Sequence, residues 1–438
     1  MQAGRLMRLA QTVCASVLGT AITAGPTLAG GFDVREQSAL FQGMSFAGAA
    51  AGGTSLASMF WNPAAAGYSG QGLTFDSSYS LIIPRADVTV ESITFPGPGG
   101  GLVTSTSPFA GTPFAGLDTS VDVGRDALVP ASYMAYRYNS DLVFALSINS
   151  QFGLGTKPDN PVWAGDVLAR SSKLFSVNAA PTVAYQIAPG VQLGAGIQIQ
   201  YLDLMHLNFA QSPGGSTATL EGTDWGFGYT LGVNFNPAPG TSIGIGFRSS
   251  IEHDLDGSVR GLIVGSPNRP IGANLELPEK ITGSITQVVM PGVRLHGTVE
   301  WTNWSRLQEV PIEGFSPAAL SFGWEDGWYF AIGGEYDYSE KLTLRTGFGY
   351  EISPIQDPEA RLVQLPDNDR YWLSAGGTYA AGDMFGLLKD AKIDFAYTHI
   401  FVEDGEFSRH PAAAPLPIFT GSVEAAVDIV SVGIRSSF

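Results

Sequence analysis

Short segments in which apolar and polar side chains alternate recur along most of this chain. Val293, Leu295, Val299 and Trp301 share one parity, and Arg294, His296, Thr298 and Glu300 share the other. Leu342, Leu344, Phe348 and Tyr350 oppose Lys341, Thr343, Arg345 and Glu351 in the same way. Trp328, Phe330, Ile332 and Tyr336 oppose Glu335 and Asp337, and Val191 to Tyr201 alternates with Gln192, Gln198 and Gln200. A period of two places such sets on opposite faces of a β-strand. About fourteen segments of this kind follow one another, the first at 73–93, the third at 141–153 and the last at 421–438.

The connections alternate as well. Short turns stand at Asn139-Ser140, Pro189-Gly190, Pro291-Gly292 and Tyr338-Ser339, while 94–126, 154–171, 204–222, 254–272, 353–369 and 403–420 read as long loops. Apart from the first residues, no stretch approaches the ~20 continuous apolar residues of a membrane helix. A chain that spans a membrane without helices must close its strands into a barrel, because lipid satisfies no backbone hydrogen bond. The fold class is therefore all-β: a transmembrane antiparallel barrel of about fourteen strands, apolar outside and polar inside, with short turns periplasmic and long loops external. The last strand departs from simple alternation. Val430, Val432 and Ile434 hold one parity and Val423, Val427 and Ile429 the other, so a β-bulge is expected near Asp428.

The first residues read differently. Arg5 and Arg8 precede an apolar run to Thr23, and Thr27-Leu28-Ala29 has the small residues of a cleavage site, so 1–29 is expected to be a signal peptide. The one cysteine, Cys14, lies in it. Thiolate metal sites and thiol nucleophiles are thereby excluded from the rest. The whole chain carries a formal net charge of −17, made more negative by loss of Arg5 and Arg8, which argues against nucleic acid as a partner. The five histidines show no metal-ligand spacing, so neither a metal nor another cofactor is expected, and no catalytic residue is assigned. Residues 30–72 are rich in Ala, Gly and Ser with scattered aromatics. They suit a plug inside the barrel or a flexible periplasmic tail, and 73–438 forms the barrel itself.

Gly31-Phe32, Glu36-Gln37-Ser38-Ala39, Phe46-Ala47-Gly48 and Asn62-Pro63-Ala64 resemble the N-terminal hatch of the FadL/TodX family of outer-membrane transporters for long-chain fatty acids and aromatic hydrocarbons. Phe152-Gly153-Leu154, Trp301-Thr302-Asn303-Trp304, Leu344-Arg345-Thr346-Gly347 and Leu365-Pro366-Asp367-Asn368-Asp369-Arg370-Tyr371-Trp372 follow in the family's order. Gln151 stands where the family has proline, Trp61 where tyrosine is common, and acidic residues usual before Asn-Pro-Ala are missing. The resemblance implies a hatch that plugs the barrel and a bacterial outer-membrane location. It also implies passive uptake of a hydrophobic small molecule by external capture, an internal pocket, hatch rearrangement and sideways release through the wall at a kink in the third strand.

The residues expected to serve that route follow from this reading. Phe32, Asn62, Pro63 and Ala64 are hatch and gating candidates. Phe152, Gly153 and Gly155 are candidates for the kink, or are simply loop residues at a strand end. Leu204, Met205, Leu207, Phe209, Leu255, Leu262 and Ile263 are candidates for an external apolar groove. Arg294 and Arg345 face inward, either as ion pairs bracing the lumen or as contacts for a carboxylate headgroup. Outer-membrane lipids and lipopolysaccharide are the expected surroundings, a monomer the expected state, and Phe438 the expected signal to the barrel-assembly machinery. A barrel phospholipase using His399 and an adhesin using the long loops are the competing readings.

Overall fold

A computed structural model describes residues 30–97, 99–261, 267–314, 319–384, 388–411 and 417–438. The expected signal peptide lies outside them. The strands close a barrel of 14, each antiparallel to its neighbours. In chain order they are β1 (Gly72–Pro96), β2 (Ala127–Arg137), β3 (Leu142–Asn149 and Gly153–Thr156), β4 (Ser171–Ala188), β5 (Val191–Ala210), β6 (Thr217–Ala238) and β7 (Thr241–Arg248 and Ile251–Arg260). Then come β8 (Arg269–Leu277 and Lys280–Met290), β9 (Val293–Thr302), β10 (Gly327–Asp337), β11 (Leu342–Ile352), β12 (Arg370–Met384), β13 (Leu388–Val402) and β14 (Ile418–Ser437). Pairing of β1 with β14, from Thr74 opposite Ser437 to Thr94 opposite Ile418, closes the cylinder.

Alternation decides which way the side chains point. Leu295, Val299, Ile332, Phe348 and Phe395 are exposed on the lipid face, whereas His296, Glu300, Glu335 and Arg345 are buried inside. The third expected loop, 204–222, is instead mostly β5 and β6, which turn near residues 211–216 and are each longer than the ~9–11 residues a bilayer requires. The loop expected at 254–272 is likewise largely strand, with Leu255 in β7 and Ile271 in β8.

The bulge expected near Asp428 is absent. β14 stays in register through Ile83 opposite Asp428 on one side and His399 opposite Asp428 on the other. Val423, Val427 and Ile429 point inward and are buried in one cluster with Ile82, Val88 and Phe407. The outer half of the lumen is thus an apolar core, so the inner face of the strand changes from polar to apolar with no break in the backbone.

Residues 30–71 fill the lumen. Ala39–Gln42 forms one helical turn capped by the Ser38 hydroxyl, and Leu56–Phe60 and Pro63–Tyr68 form 3-10 turns. Elements this short leave many backbone groups unpaired, and inward polar side chains of the barrel supply the partners. The Gly48 N–H donates to Thr298 Oγ1 at 2.9 Å, the Ala50 N–H to Ser284 Oγ at 3.0 Å, and the Tyr329 hydroxyl to the Ser45 carbonyl at 2.7 Å. The hatch lies so close to the wall that a Cβ on Gly246 would collide with the Trp61 carbonyl, and one on Gly347 with the backbone of Met44.

Candidate functional site

The wall is interrupted at β3. Its first segment pairs with β2 only from Val143 opposite Arg137 to Ile148 opposite Ser132. Its second segment pairs with β4, from Gly153 opposite Phe175 to Thr156 opposite Ser172. Ala127–Ala131 of β2 bonds to β1 on one side and has no strand on the other. Backbone bonds from Lys157 to Val123 at 3.0 Å and from Asp159 to Asp122 at 2.9 Å close the outer end of this gap.

The beginning of the hatch takes up the edge that β2 leaves. Asp33 bridges antiparallel to Phe152, with the Val34 N–H donating to the Gln151 carbonyl at 2.8 Å and the Gly153 N–H to the Phe32 carbonyl at 2.9 Å. Phe152 bonds on its other edge to Ser176 of β4. The phenyl ring of Phe32 lies 5.8 Å from that of Phe152, 5.0 Å from Trp304 and 5.8 Å from Trp324. Offset and tilted aromatic pairs of this kind add about 0.5–1.5 kcal/mol each beyond their buried area.

Above Phe32 opens an apolar cleft with about 940 Å³ of empty space, its open mouth included. Leu204, Leu207, Leu220, Leu255 and Leu275 line its sides, and Phe322 and Leu365 come from the external connections. Its polar lining residues are Ser172, Glu221 and Gln364. The Glu221 side chain is turned to the other face of β6, where Ser258 and Arg260 bind it. The same cleft holds four of the residues expected in an external groove or gate: Phe32, Leu204, Leu207 and Leu255. Met205 faces outward, and Phe209 packs on a neighbouring small cluster with Leu220, Val259 and Ile312. Leu262 and Ile263 lie outside the described residues.

Beneath the aromatic floor is a buried ionic cluster. Arg35 binds Glu300 at 2.8 Å and Glu351 at 3.5 Å, and Lys280 binds Asp33. Glu36 is 1% exposed, and neither carboxylate oxygen has a hydrogen-bond partner. Burial pushes its carboxyl up to about 7, against the opposing pull of Arg35.

Asn62 anchors the hatch on the opposite side. Its Oδ1 caps the Pro63–Tyr68 turn by accepting from the Ala64 N–H, and Pro63 occupies the first position of that turn, where no donor is needed. Its amide donates to the Ala50 carbonyl at 2.8 Å, the Val233 carbonyl at 3.1 Å and Asn234 Oδ1 at 3.0 Å. Asn62, Pro63 and Ala64 therefore tie hatch to β6 rather than line the cleft.

Arg294 and Arg345 do not line the cleft either. Arg294 binds Glu335 at 2.7 Å and Asp337 at 2.6 Å, near the periplasmic turn, and Arg345 binds Glu335 at 2.5 Å. Gly155 lies in the short second segment of β3. His399, on the outer face, meets Asp428 at 2.8 Å, and among the described residues no serine bonds to it. Ser172, Gln364, Asn234 and Tyr329 were not singled out by sequence. Tyr329, with the parity of Glu335 and Asp337, and Asn234, between Val233 and Phe235, stood in alternating patterns that turn them inward.

The family model for outer membrane protein transport proteins (OMPP1/FadL/TodX) matches residues 20–438. The chain belongs to this family. It is 25% identical over 393 residues to the long-chain fatty acid transport protein of Escherichia coli strain K12, covering 78% of this chain and 86% of that one. It is 25% identical to outer membrane protein P1 of Haemophilus influenzae, covering 88% and 89%. In fold it is similar to a Pseudomonas aeruginosa FadL homologue, with a TM-score of 0.81 at 19% identity over 93% of this chain and 100% of the other. It is also similar to the Pseudomonas putida toluene transporter TodX, with a TM-score of 0.63 at 15% identity over 94% and 100%. This membership and the closed barrel place the protein in the bacterial outer membrane as a multi-pass transport protein.

Proposed function

We propose that the protein takes up hydrophobic compounds, long-chain fatty acids or related hydrocarbons, by passive movement from the cleft to the gap in the wall. One observation carries this reading: Phe32 is at once the floor of the cleft and the neighbour of Phe152 at the interruption of β3. A molecule held above Phe32 is separated from the gap by one aromatic side chain and two backbone hydrogen bonds. Each methylene taken out of water gains about 0.8 kcal/mol, so an apolar cleft concentrates an oily molecule that a watery pore would not. Displacement of residues 32–34 then frees the edge of β3 towards the membrane. Phe438, whose N–H donates to the Leu73 carbonyl at 2.9 Å, completes the seam of the barrel and is the proposed assembly signal.

The test is uptake of labelled oleate and labelled toluene in a host lacking its own transporter of this kind. Accelerated uptake of either supports the reading. An unchanged rate for both, with folded barrel in the outer membrane, overturns it.

A further inference from the structure

The chain has six lysines. Lys280 is buried against Asp33, and Lys341, Lys389 and Lys392 lie towards the periplasmic ends of β11 and β13. The other two, Lys157 and Lys173, stand together on the outside of the wall beside its gap. Leu174 and Ser176 are buried inside, so Lys173 and Phe175 hold the outward parity of β4. Lys173 is the cross-strand partner of Gly155 in the second segment of β3 and of His206 in β5. Cross-strand partners have Cβ atoms about 4.5–5.5 Å apart. Gly155 carries no side chain to cover Lys173 from the β3 side. Lys157 directly follows that segment, and its charge acts on the His206 ring together with that of Lys173.

Neither ammonium group is neutralised. Lys157 is exposed and Lys173 half-buried, and neither side chain makes a hydrogen bond or ion pair among the described residues. Two carboxylates are near. Asp203 feels the charge of Lys173 without bonding to it, and Glu221 is taken by Ser258 and Arg260. In a chain of net charge −17, two neighbouring cations without a carboxylate partner run against the general balance.

Their height on the wall points to what they meet. Phe175, Tyr201 and Trp225 form a row on the same outer face, with successive ring centroids 6.4 Å and 5.1 Å apart. Trp225 is 60% exposed. Aromatic girdles of this kind mark the level where hydrocarbon gives way to head groups. Lys173 is the next outward-facing residue beyond Phe175, about 7 Å further along the strand from the periplasmic turn. It therefore stands in the head-group layer of the outer leaflet, where lipopolysaccharide supplies phosphate. Lysine binds phosphate as a compact point charge.

We propose that Lys157 and Lys173, flanked by His206, hold a phosphate of outer-leaflet lipopolysaccharide, whose acyl chains descend past Phe175 and Tyr201 beside the gap in the wall. The site lies on the lipid face, apart from the cleft, and stations a membrane lipid where the wall is interrupted.

The experiment is native mass spectrometry of the purified protein in detergent, titrated with bisphosphorylated lipid A or with the same lipid dephosphorylated. The bisphosphorylated lipid is expected to bind at least about tenfold more tightly. Combining K157Q with K173Q should remove about tenfold or more of its affinity, whereas K157R with K173R should keep most of it. K341Q with K389Q, the same loss of charge at the periplasmic end, should leave binding unchanged. Heat-modifiable migration on gels confirms that each variant is a closed barrel. Equal binding of the two lipids by the parent overturns the proposal, as does an unchanged affinity in K157Q/K173Q or an equal loss in K341Q/K389Q. Displacement of the lipid by an equimolar amount of inorganic phosphate would assign the site to free phosphate and overturn the lipid as its occupant.

Discussion

Asp33 and Phe152 face each other as a non-hydrogen-bonded antiparallel pair, flanked by the bonds from Val34 to Gln151 and from Gly153 to Phe32. In this arrangement the Cα atoms lie about 4.5 Å apart, within the range a disulfide spans. The one native cysteine, Cys14, lies in the expected signal. D33C combined with F152C should therefore form a single cross-link in the periplasm, pinning the hatch to β3. Uptake should fall to the level of the host without transporter and return on reduction. Full-rate uptake by the oxidised protein would rule out displacement of residues 32–34 as a step.

Phe32 fills space between three aromatic neighbours, and removal of a buried Phe side chain costs about 3–5 kcal/mol where the surroundings do not collapse. Phe32→Ala should loosen the start of the hatch while leaving the barrel closed. Planar-bilayer recording is expected to show ion conductance above that of the parent protein. A conductance identical to the parent would mean that residues further along the hatch make the seal.

Asn62→Ala removes the cap of the Pro63–Tyr68 turn together with the amide bonds to Ala50, Val233 and Asn234. The expected cost is about 2–4 kcal/mol, carried by the hatch. Hydrogen exchange of residues 50–68 should accelerate by at least tenfold, whereas the strands keep their protection. Equal acceleration throughout the barrel would show that hatch and wall unfold as one unit.

Glu36 makes the hatch sensitive to pH. Its folded carboxyl titrates at about 7, above an ordinary value of 4.5, because burial favours the protonated form. The charged groups around it are Arg35, which opposes the shift, and Asp33 and Glu351, which add to it. The stability tied to this proton is present below the ordinary value, falls as pH rises from there through about 7, and is lost above it. The difference is on the order of 3 kcal/mol. Hatch protection should drop between pH 5 and pH 9 in the parent protein and stay level in Glu36→Gln. A parallel drop in both would assign the pH effect to another group.

Alternation alone determined much of this protein. It located the strands, assigned the lipid face to Leu295, Val299, Ile332 and Phe348, and turned Glu300, Glu335 and Arg345 inward, because a period of two is a local property of extended backbone. The motif from Phe32 to Ala64 marked the hatch.

What lay beyond reach depended on which surfaces meet. Val423, Val427 and Ile429 broke the alternation, and only the tertiary structure showed that they face an apolar core in the outer lumen rather than a bulge. The leucines of 204–222 belong to long strands rather than to a loop, and their cleft is assembled from the hatch, β3 to β8 and the external connections, segments far apart in the chain. Sequence turned Arg294 and Arg345 inward, but only the tertiary structure brought Glu335 and Asp337 beside them. The pairing of Asp33 with Phe152 is likewise a matter of backbone groups, which every residue carries and no side-chain pattern records.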